Sequence, residues 1–331
     1  MNDKPDTSLV IQKKLKSFPR LHHSLLPTPV HRLDWLADEY GVNVYCKRDD
    51  LTGFGFGGNK TRKLDFLLAE ACDQGCNTLI AIGANQSNFC RMAAAYGVAC
   101  ALEVHLVLGG KEPDKPTGNL RLDHLLGVTC HHVDSTDWAT WAEEAERLES
   151  ELTSKGKKVY RMPVGGSTPR GALGYVDAFA EIIADQSRLG VEFEAIIHAS
   201  SSAGTQAGLI VGRAMANWHG DIIGISVAKP KHELEKEVLD LAKATAAEID
   251  TCVDPSSIIV DDSYIGEGYA IRTPGCEEAV ALFARKMGIF LDYVYTGKAA
   301  AGLIDALRKG RFDKGANVLF IHTGGNIELF E

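Results

Sequence analysis

Short, unbroken apolar runs alternate with helical periods along most of this chain, and that alternation restricts its fold more than any other feature. Residues 78–83, 102–108, 159–162, 195–199, 222–227 and 318–321 predict strands. Residues 87–96, 120–126, 138–152, 171–189, 205–217, 232–248, 274–287 and 297–308 carry the spacing of helices. A continuous apolar strand needs cover on both faces, and a helix between strands makes neighbouring strands parallel. The expectation is an α/β protein with mainly parallel sheets and helices on both faces. The loop 109–117, rich in Gly, Pro and Lys, reads as a surface excursion. The turn 163–169 is a candidate crossing between domains.

Composition excludes several classes. The 331 residues are 45% hydrophobic and 24% charged, which suits a globular protein with a sizeable core. A net charge of -9 argues against a nucleic-acid partner, because phosphate backbones require a basic face. Met1 to Lys16 is polar and lacks an apolar signal-type core. No run approaches the about 20 apolar residues of a membrane helix. The eight cysteines form no C-x-x-C pair and no zinc pattern, so no metal is expected. They read as scattered buried thiols in a reducing, cytoplasmic setting.

In open α/β sheets, ligands bind beyond the carboxyl ends of strands. Four polar clusters fall at such places. The first is the turn from Gly53 to Lys63, with Lys60 at a helix mouth after closely spaced glycines. A lysine partly desolvated beside a second cation can lose its proton and act as nucleophile or base. That suits an aldehyde cofactor held as a Schiff base, although a plain turn with a surface lysine has the same spelling. The P-loop pattern is excluded, since Asn59 follows Gly58 and the lysine comes one place late.

The second cluster, Ala84 to Asn88, offers donors for a carboxylate or a phenolate; Ser87 also suits a simple helix cap. The third, Ser200 to Gln206, can cradle a phosphate or cap a helix. The fourth, His322 to Asn326, can set a hydroxyl against a ring nitrogen or form a glycine turn. Tyr293 and Tyr295 precede a helix near the end. No G-x-S-x-G elbow and no H-E-x-x-H zinc site occur. The pairs His22-His23 and His131-His132 read as surface or structural residues.

Taken in order, Lys47-Arg48-Asp49-Asp50, Gly57 to Leu64, Gln86-Ser87-Asn88, Ser202 to Thr205, Val294 to Lys298 and His322 to Gly325 carry a resemblance. The chain resembles pyridoxal-phosphate enzymes of the tryptophan synthase β-like fold (fold type II). More narrowly, it resembles the 1-aminocyclopropane-1-carboxylate deaminase and D-cysteine desulfhydrase family, over roughly residues 18–330. The resemblance implies two open, twisted, mainly parallel sheets. It implies a large pyridoxal-phosphate domain, residues 1–52 plus 164–331, and a small domain, 53–163. It also implies a homodimer.

By the same resemblance, Lys60 is the Schiff-base lysine. Lys63, Asn59 and the loop Ser202, Ala203, Gly204, Thr205 hold the cofactor and its phosphate. Asn88 bonds the phenolic oxygen, and Tyr295 stacks on the ring. Thr296 and Thr323 are further cofactor contacts at the ring. Ser87 binds the substrate carboxylate, with Gln86, Asn88 and Tyr269 also lining the substrate side. Lys60, Ser87, Tyr269 and Tyr295 form the expected catalytic set.

Thr296 and Thr323 stand where the deaminase branch carries Glu and Leu, and so match the desulfhydrase branch. A hydroxyl leaves the ring nitrogen neutral, which suffices when a good β-leaving group departs; ring opening needs a stronger electron sink. The expected reaction is α,β-elimination from a small amino acid of D-cysteine or L-cysteate type. It yields pyruvate, ammonium and sulfide or sulfite. The runs 204–208 and 263–269 look closest to the L-cysteate sulfo-lyases. Cyclopropane-ring deamination, or a non-catalytic protein that binds the cofactor, are the alternatives. Phe89, Tyr293 and Asn326 depart from the family pattern, and Phe89 and Tyr293 can reshape the pocket.

Overall fold

A computed structural model describes residues 7–331. In chain order the strands are β1 (Val30–Arg32), β2 (Asn43–Lys47), β3 (Thr78–Ala84), β4 (Glu103–Gly109) and β5 (Thr129–Val133). Then come β6 (Val159–Met162), β7 (Ala195–Ser200), β8 (Asp221–Ser226), β9 (Ile259–Asp261) and β10 (Asn317–Ile321). They form a six-stranded sheet, β1-β2-β10-β7-β8-β9, and a four-stranded sheet, β5-β4-β3-β6. All neighbours are parallel except β1 with β2.

Both sheets are covered on both faces, which explains the unbroken apolar runs. On β7, Ile196 packs toward helices Thr7–Leu15, Pro169–Leu189, Gly204–Ala216 and Lys231–Glu248. Ala195, Ile197 and Ala199 pack toward helices Asp34–Tyr40, Pro274–Met287 and Thr296–Arg308. The smaller sheet repeats this. Leu79 and Ala81 meet helices Asn59–Asp73 and Asn88–Ala99, while Ile80 and Ile82 meet Trp138–Ser154. Each large aliphatic chain so buried contributes roughly 1.5–3 kcal/mol.

Local chemistry sets the helix ends. Thr168 accepts a hydrogen bond from Gly171 N–H at 3.1 Å, Pro169 opens the helix, and Gly190 closes it in the left-handed region. Ser87 Oγ likewise accepts from Cys90 N–H at 3.1 Å. Asp137 caps Trp138–Ser154 through Ala139 and Thr140.

Each sheet reverses its strand order once. The chain leaves β3 toward β4 and β5, then returns to the other side of β3 as β6. It leaves β7 toward β8 and β9, then returns as β10. Each reversal opens a crevice beyond the strand ends.

Four strands lie outside the sequence expectation: β1, β2, β5 and β9. β5 is an edge strand of polar spelling, Thr-Cys-His-His-Val, and half-buried. β2 is internal but ends on a buried charge, Lys47, paired with Glu181 at 3.0 Å and Asp185 at 2.9 Å. The thiols need a correction. All eight are free, but Cys46, Cys76, Cys90 and Cys276 alone are buried, and Cys72 and Cys252 are exposed. Among the described residues, no helix is long and apolar enough to cross a membrane, and no metal-binding cluster occurs.

Candidate active site

The two crevices face one cavity. The loops after β3 and β6 contribute Ala84, Ser87, Asn88, Val164 and Gly165. The loops after β7 and β10 contribute Ser201, Ser202, Ala203, Thr205, Thr323, Gly324 and Gly325. Lys60 enters from the first turn of Asn59–Asp73, whose start is fixed by the Asn59 N–H donating to Thr323 O at 2.9 Å. Gly58 sits at φ 124, and a Cβ there would stand 3.2 Å from Thr323 O. The glycine turn thus lets the lysine helix come up against the β10 loop.

The lysine helix rests on buried charge. Arg62 donates to Asp49 Oδ1 and to Glu181 Oε1, each at 2.8 Å. Tyr175 Oη donates to Asp49 Oδ2 at 2.6 Å. Burial pushes Lys60 down to about 8. Its Nζ has no hydrogen-bond partner among the described residues. Burial, and then the Lys60 charge, push Lys63 well below the usual lysine range.

Lys60, Asn59, Ser87, Asn88, Ser202, Ala203, Thr205, Tyr269, Tyr295 and Thr323 all line this cavity. Lys63, Gly204, Gln86 and Thr296 do not. Lys63 Nζ lies behind the wall, donating to Gly165 O at 3.1 Å. Gly204 is packed against it: a Cβ there would fall 2.6 Å from Lys63 Nζ. Gln86 points to the start of helix Gly118–Leu125, where its Oε1 accepts from Asn119 N–H at 2.8 Å. Thr296 Oγ1 is fully buried and donates to Asp292 Oδ1 at 2.6 Å.

Of the departures from the family pattern, Phe89 lines the cavity and Tyr293 does not. Tyr293 lies beneath the Arg272 guanidinium, 3.8 Å from its ring centre. The histidine pairs are structural: His131 bonds His105 at 3.0 Å, and His23 stacks on Phe54 at 4.8 Å.

Three further contributions were not singled out in the sequence. Gly165 and Ser167 complete the polar loop, with Ser167 Oγ donating to Ser202 Oγ at 3.0 Å; the glycine run 163–169 was their only signal. Trp138 and Trp141 line the cavity, Trp138 meeting Tyr269 edge-on at 6.2 Å. Asp292 is fully buried and accepts from the N–H groups of Val294, Tyr295 and Thr296. It shapes the segment that presents Tyr295.

One end of the cavity is an anion seat, made of Ser202, Thr205 and the start of helix Gly204–Ala216. Between that seat and the Ser87–Asn88 helix start lies an unpaired lysine of lowered basicity. An aldehyde bearing a phosphate fits these donors. A model of the pyridoxal-phosphate dependent enzyme family matches residues 22–324.

The chain belongs to the pyridoxal-phosphate-dependent enzymes.

A D-cysteine desulfhydrase of Yersinia enterocolitica is 39% identical over 329 residues, covering 97% of this chain and 98% of that protein. A provisionally named 1-aminocyclopropane-1-carboxylate deaminase of Pyrococcus furiosus is 39% identical over 315 residues, covering 95% and 94%. A crystal structure of an ACC deaminase homologue superposes with a TM-score of 0.91 at 38% identity, covering 97% of this chain and 96% of that one. A threonine deaminase from Solanum lycopersicum shares the fold at 16% identity, with a TM-score of 0.69 and coverage of 98% and 85%. The cofactor of this pyridoxal-phosphate enzyme is therefore pyridoxal 5'-phosphate, and its fold is type II.

Proposed function

We propose that the enzyme catalyses α,β-elimination from a small β-substituted amino acid of D-cysteine or L-cysteate type. The products are pyruvate, ammonium and sulfide or sulfite. The observation that carries this reading is the absence of any Asp or Glu among the described cavity-lining residues, with Thr323 one of the hydroxyls that line it instead. Asp292, a buried carboxylate packed against the lining residue Gly325, is committed to three backbone N–H groups and the Thr296 hydroxyl. A hydroxyl partner suits departure of a good leaving group better than ring opening.

When bound, pyridoxal phosphate supplies an aldehyde carbon for the substrate amine and a conjugated ring to take up electrons from Cα. Lys60, with its lowered proton affinity, is the group in the cavity suited to receive the α-proton at Nζ. Tyr269 and Tyr295 share a hydrogen bond between their hydroxyls. Burial holds Tyr269 up at about 12 and Tyr295 well above the usual phenol range, so both act as neutral hydrogen-bonding groups. Ser87 Oγ accepts from Cys90 N–H and keeps its own proton to donate to the substrate carboxylate.

Lys60 is the one cation among the described lining residues. A thiol needs no second cation and a sulfonate does, which favours sulfide over sulfite as the leaving group. Phe89, Trp138, Trp141 and Tyr269 supply aromatic walls that suit a short side chain. The proposed setting is a cytoplasmic homodimer, with residues 1–52 plus 164–331 as the large domain and 53–163 as the small one.

A pyruvate-release panel with D-cysteine, L-cysteine, L-cysteate, β-chloroalanine and D-serine tests the reading. Ammonium release from 1-aminocyclopropane-1-carboxylate is followed beside it. Pyruvate with sulfide from cysteine is expected. Turnover of the cyclopropane amino acid alone would replace elimination with ring opening, and a coloured protein inert to every compound would point to a binding protein.

A further inference from the structure

Asn88 lines the cofactor cavity, and its amide has two ends of opposite character. Which end faces inward decides whether the residue gives or takes a hydrogen bond. Two neighbours fix the answer. Arg91 Nη2 stands 3.4 Å from Asn88 Oδ1, one turn along the same helix. A guanidinium can only donate, so the atom facing it is the oxygen. Asn119 Nδ2 stands 3.1 Å from the same oxygen.

The orientation of Asn119 is itself fixed. Its Nδ2 also donates to the backbone carbonyl of Gln86 at 2.9 Å, and a carbonyl can only accept. Its own N–H donates to Gln86 Oε1 at 2.8 Å, and Gln86 Nε2 donates to Thr117 O at 3.2 Å. Arg91 and Asn119 are buried to 2% and 0% exposure, so water does not replace these bonds. Every bond in this chain has one possible direction. What remains for the cavity is Asn88 Nδ2, which has no partner among the described residues.

We propose that Arg91 and Asn119 are positioning residues that clamp the Asn88 amide, so that Nδ2 faces the cavity as a donor to an oxygen of the bound cofactor. Gln86, expected from its sequence position to touch substrate, acts two bonds further back by holding Asn119. The inference rests on the presence of the cofactor and not on the choice of substrate.

Asn119→Asp is the informative change, because it keeps the shape and removes the donor. A carboxylate facing Asn88 Oδ1 repels it and opposes the hold of Arg91, so the Asn88 amide no longer keeps Nδ2 on the cofactor side. The holoenzyme is expected to lose cofactor about ten- to a hundredfold faster on dilution, with a shifted visible absorption band. Asn119→Ala removes the donor without adding charge, and the same two readouts move in the same direction by less. In an Asn88→Ala background, Asn119→Asp is expected to add nothing, which a general loss of packing would not reproduce. Wild-type loss rate and band in both Asn119 variants would overturn the clamp, as would full additivity with Asn88→Ala. Both readouts are taken without substrate, so a failed elimination assay leaves them standing.

Discussion

Lys63 lies one helical turn beyond Lys60, and its Nζ donates to the carbonyl of Gly165 at 3.1 Å, behind the loop that carries Ser202. The two lysines therefore have separate places. Lys60 opens into the cavity, and Lys63 lies behind the anion seat. Replacing Lys63 by Met removes a buried hydrogen-bond donor from behind the anion seat. Loss of cofactor from the holoenzyme, followed by absorbance after dilution, is expected to quicken about tenfold or more. An unchanged rate would assign Lys63 to the loop alone.

Lys60 is the one lysine among the described residues that line the cavity. Borohydride reduction of the holoenzyme, followed by digestion, is expected to place the pyridoxyl label on the peptide containing Lys60. Lys60→Ala is expected to carry no label and to show no turnover. A label on Lys63, or full activity in the variant, would contradict the assignment.

Thr323 lines the cavity while Thr296 is bound to Asp292. Joint replacement, Thr323→Leu with Thr296→Glu, gives the residue types of the deaminase branch. The ratio of ring opening to elimination is expected to rise about tenfold or more, read as ammonium from the cyclopropane amino acid against pyruvate from D-cysteine. Thr296→Glu alone sets a second carboxylate beside buried Asp292, and a lowered unfolding midpoint is expected. Unchanged D-cysteine turnover in the double variant, with no gain of ring opening, would count against the electron-sink argument.

Asp123 is fully buried, and neither of its oxygens has a protein partner. Burial raises its carboxyl to about 7, with Arg91 opposing. In the unfolded chain the same group ionises near its ordinary value of about 4. Between those values the folded chain holds a proton that the unfolded chain lacks, so stability falls as pH rises through that window. Asp123→Asn is expected to remove that fall, on the order of 1–4 kcal/mol, in denaturant unfolding measured between about pH 4 and pH 8. Superimposable pH profiles would show that Asp123 does not titrate in this way.

Arg62 is fully buried between Asp49 and Glu181. Arg62→Met leaves two buried carboxylates with fewer partners. A loss of about 3–5 kcal/mol in unfolding free energy is expected. A loss under about 1 kcal/mol would place these groups in contact with water.

Much of this architecture is written in local periodicity. The strands 78–84, 195–200 and 317–321 are apolar because helices cover both faces, and that pattern survives in a single sequence. Small polar residues at their carboxyl ends mark the loops that meet at the cavity. What stayed hidden depends on residues distant in the chain. β2 is spelled with a terminal lysine whose partners, Glu181 and Asp185, lie more than a hundred residues away. Gln86 sits in a motif that suggests substrate contact, and only the fold shows it bonded to Asn119. Trp138 and Trp141 read as one face of an amphipathic helix, and nothing local reveals that Tyr269 stands opposite.

The charged floor beneath the lysine helix behaves as a keyed joint. An oily contact lets a helix creep by a fraction of a turn at little cost, whereas paired guanidinium and carboxylate groups engage in one register. Lys60 is thereby delivered to one point in space whatever happens to the walls around it. Drift in Phe89 or Trp138 can retune what the cavity admits while the reacting lysine stays in place. Innovation in substrate and constancy in chemistry are thus assigned to different parts of one small chamber.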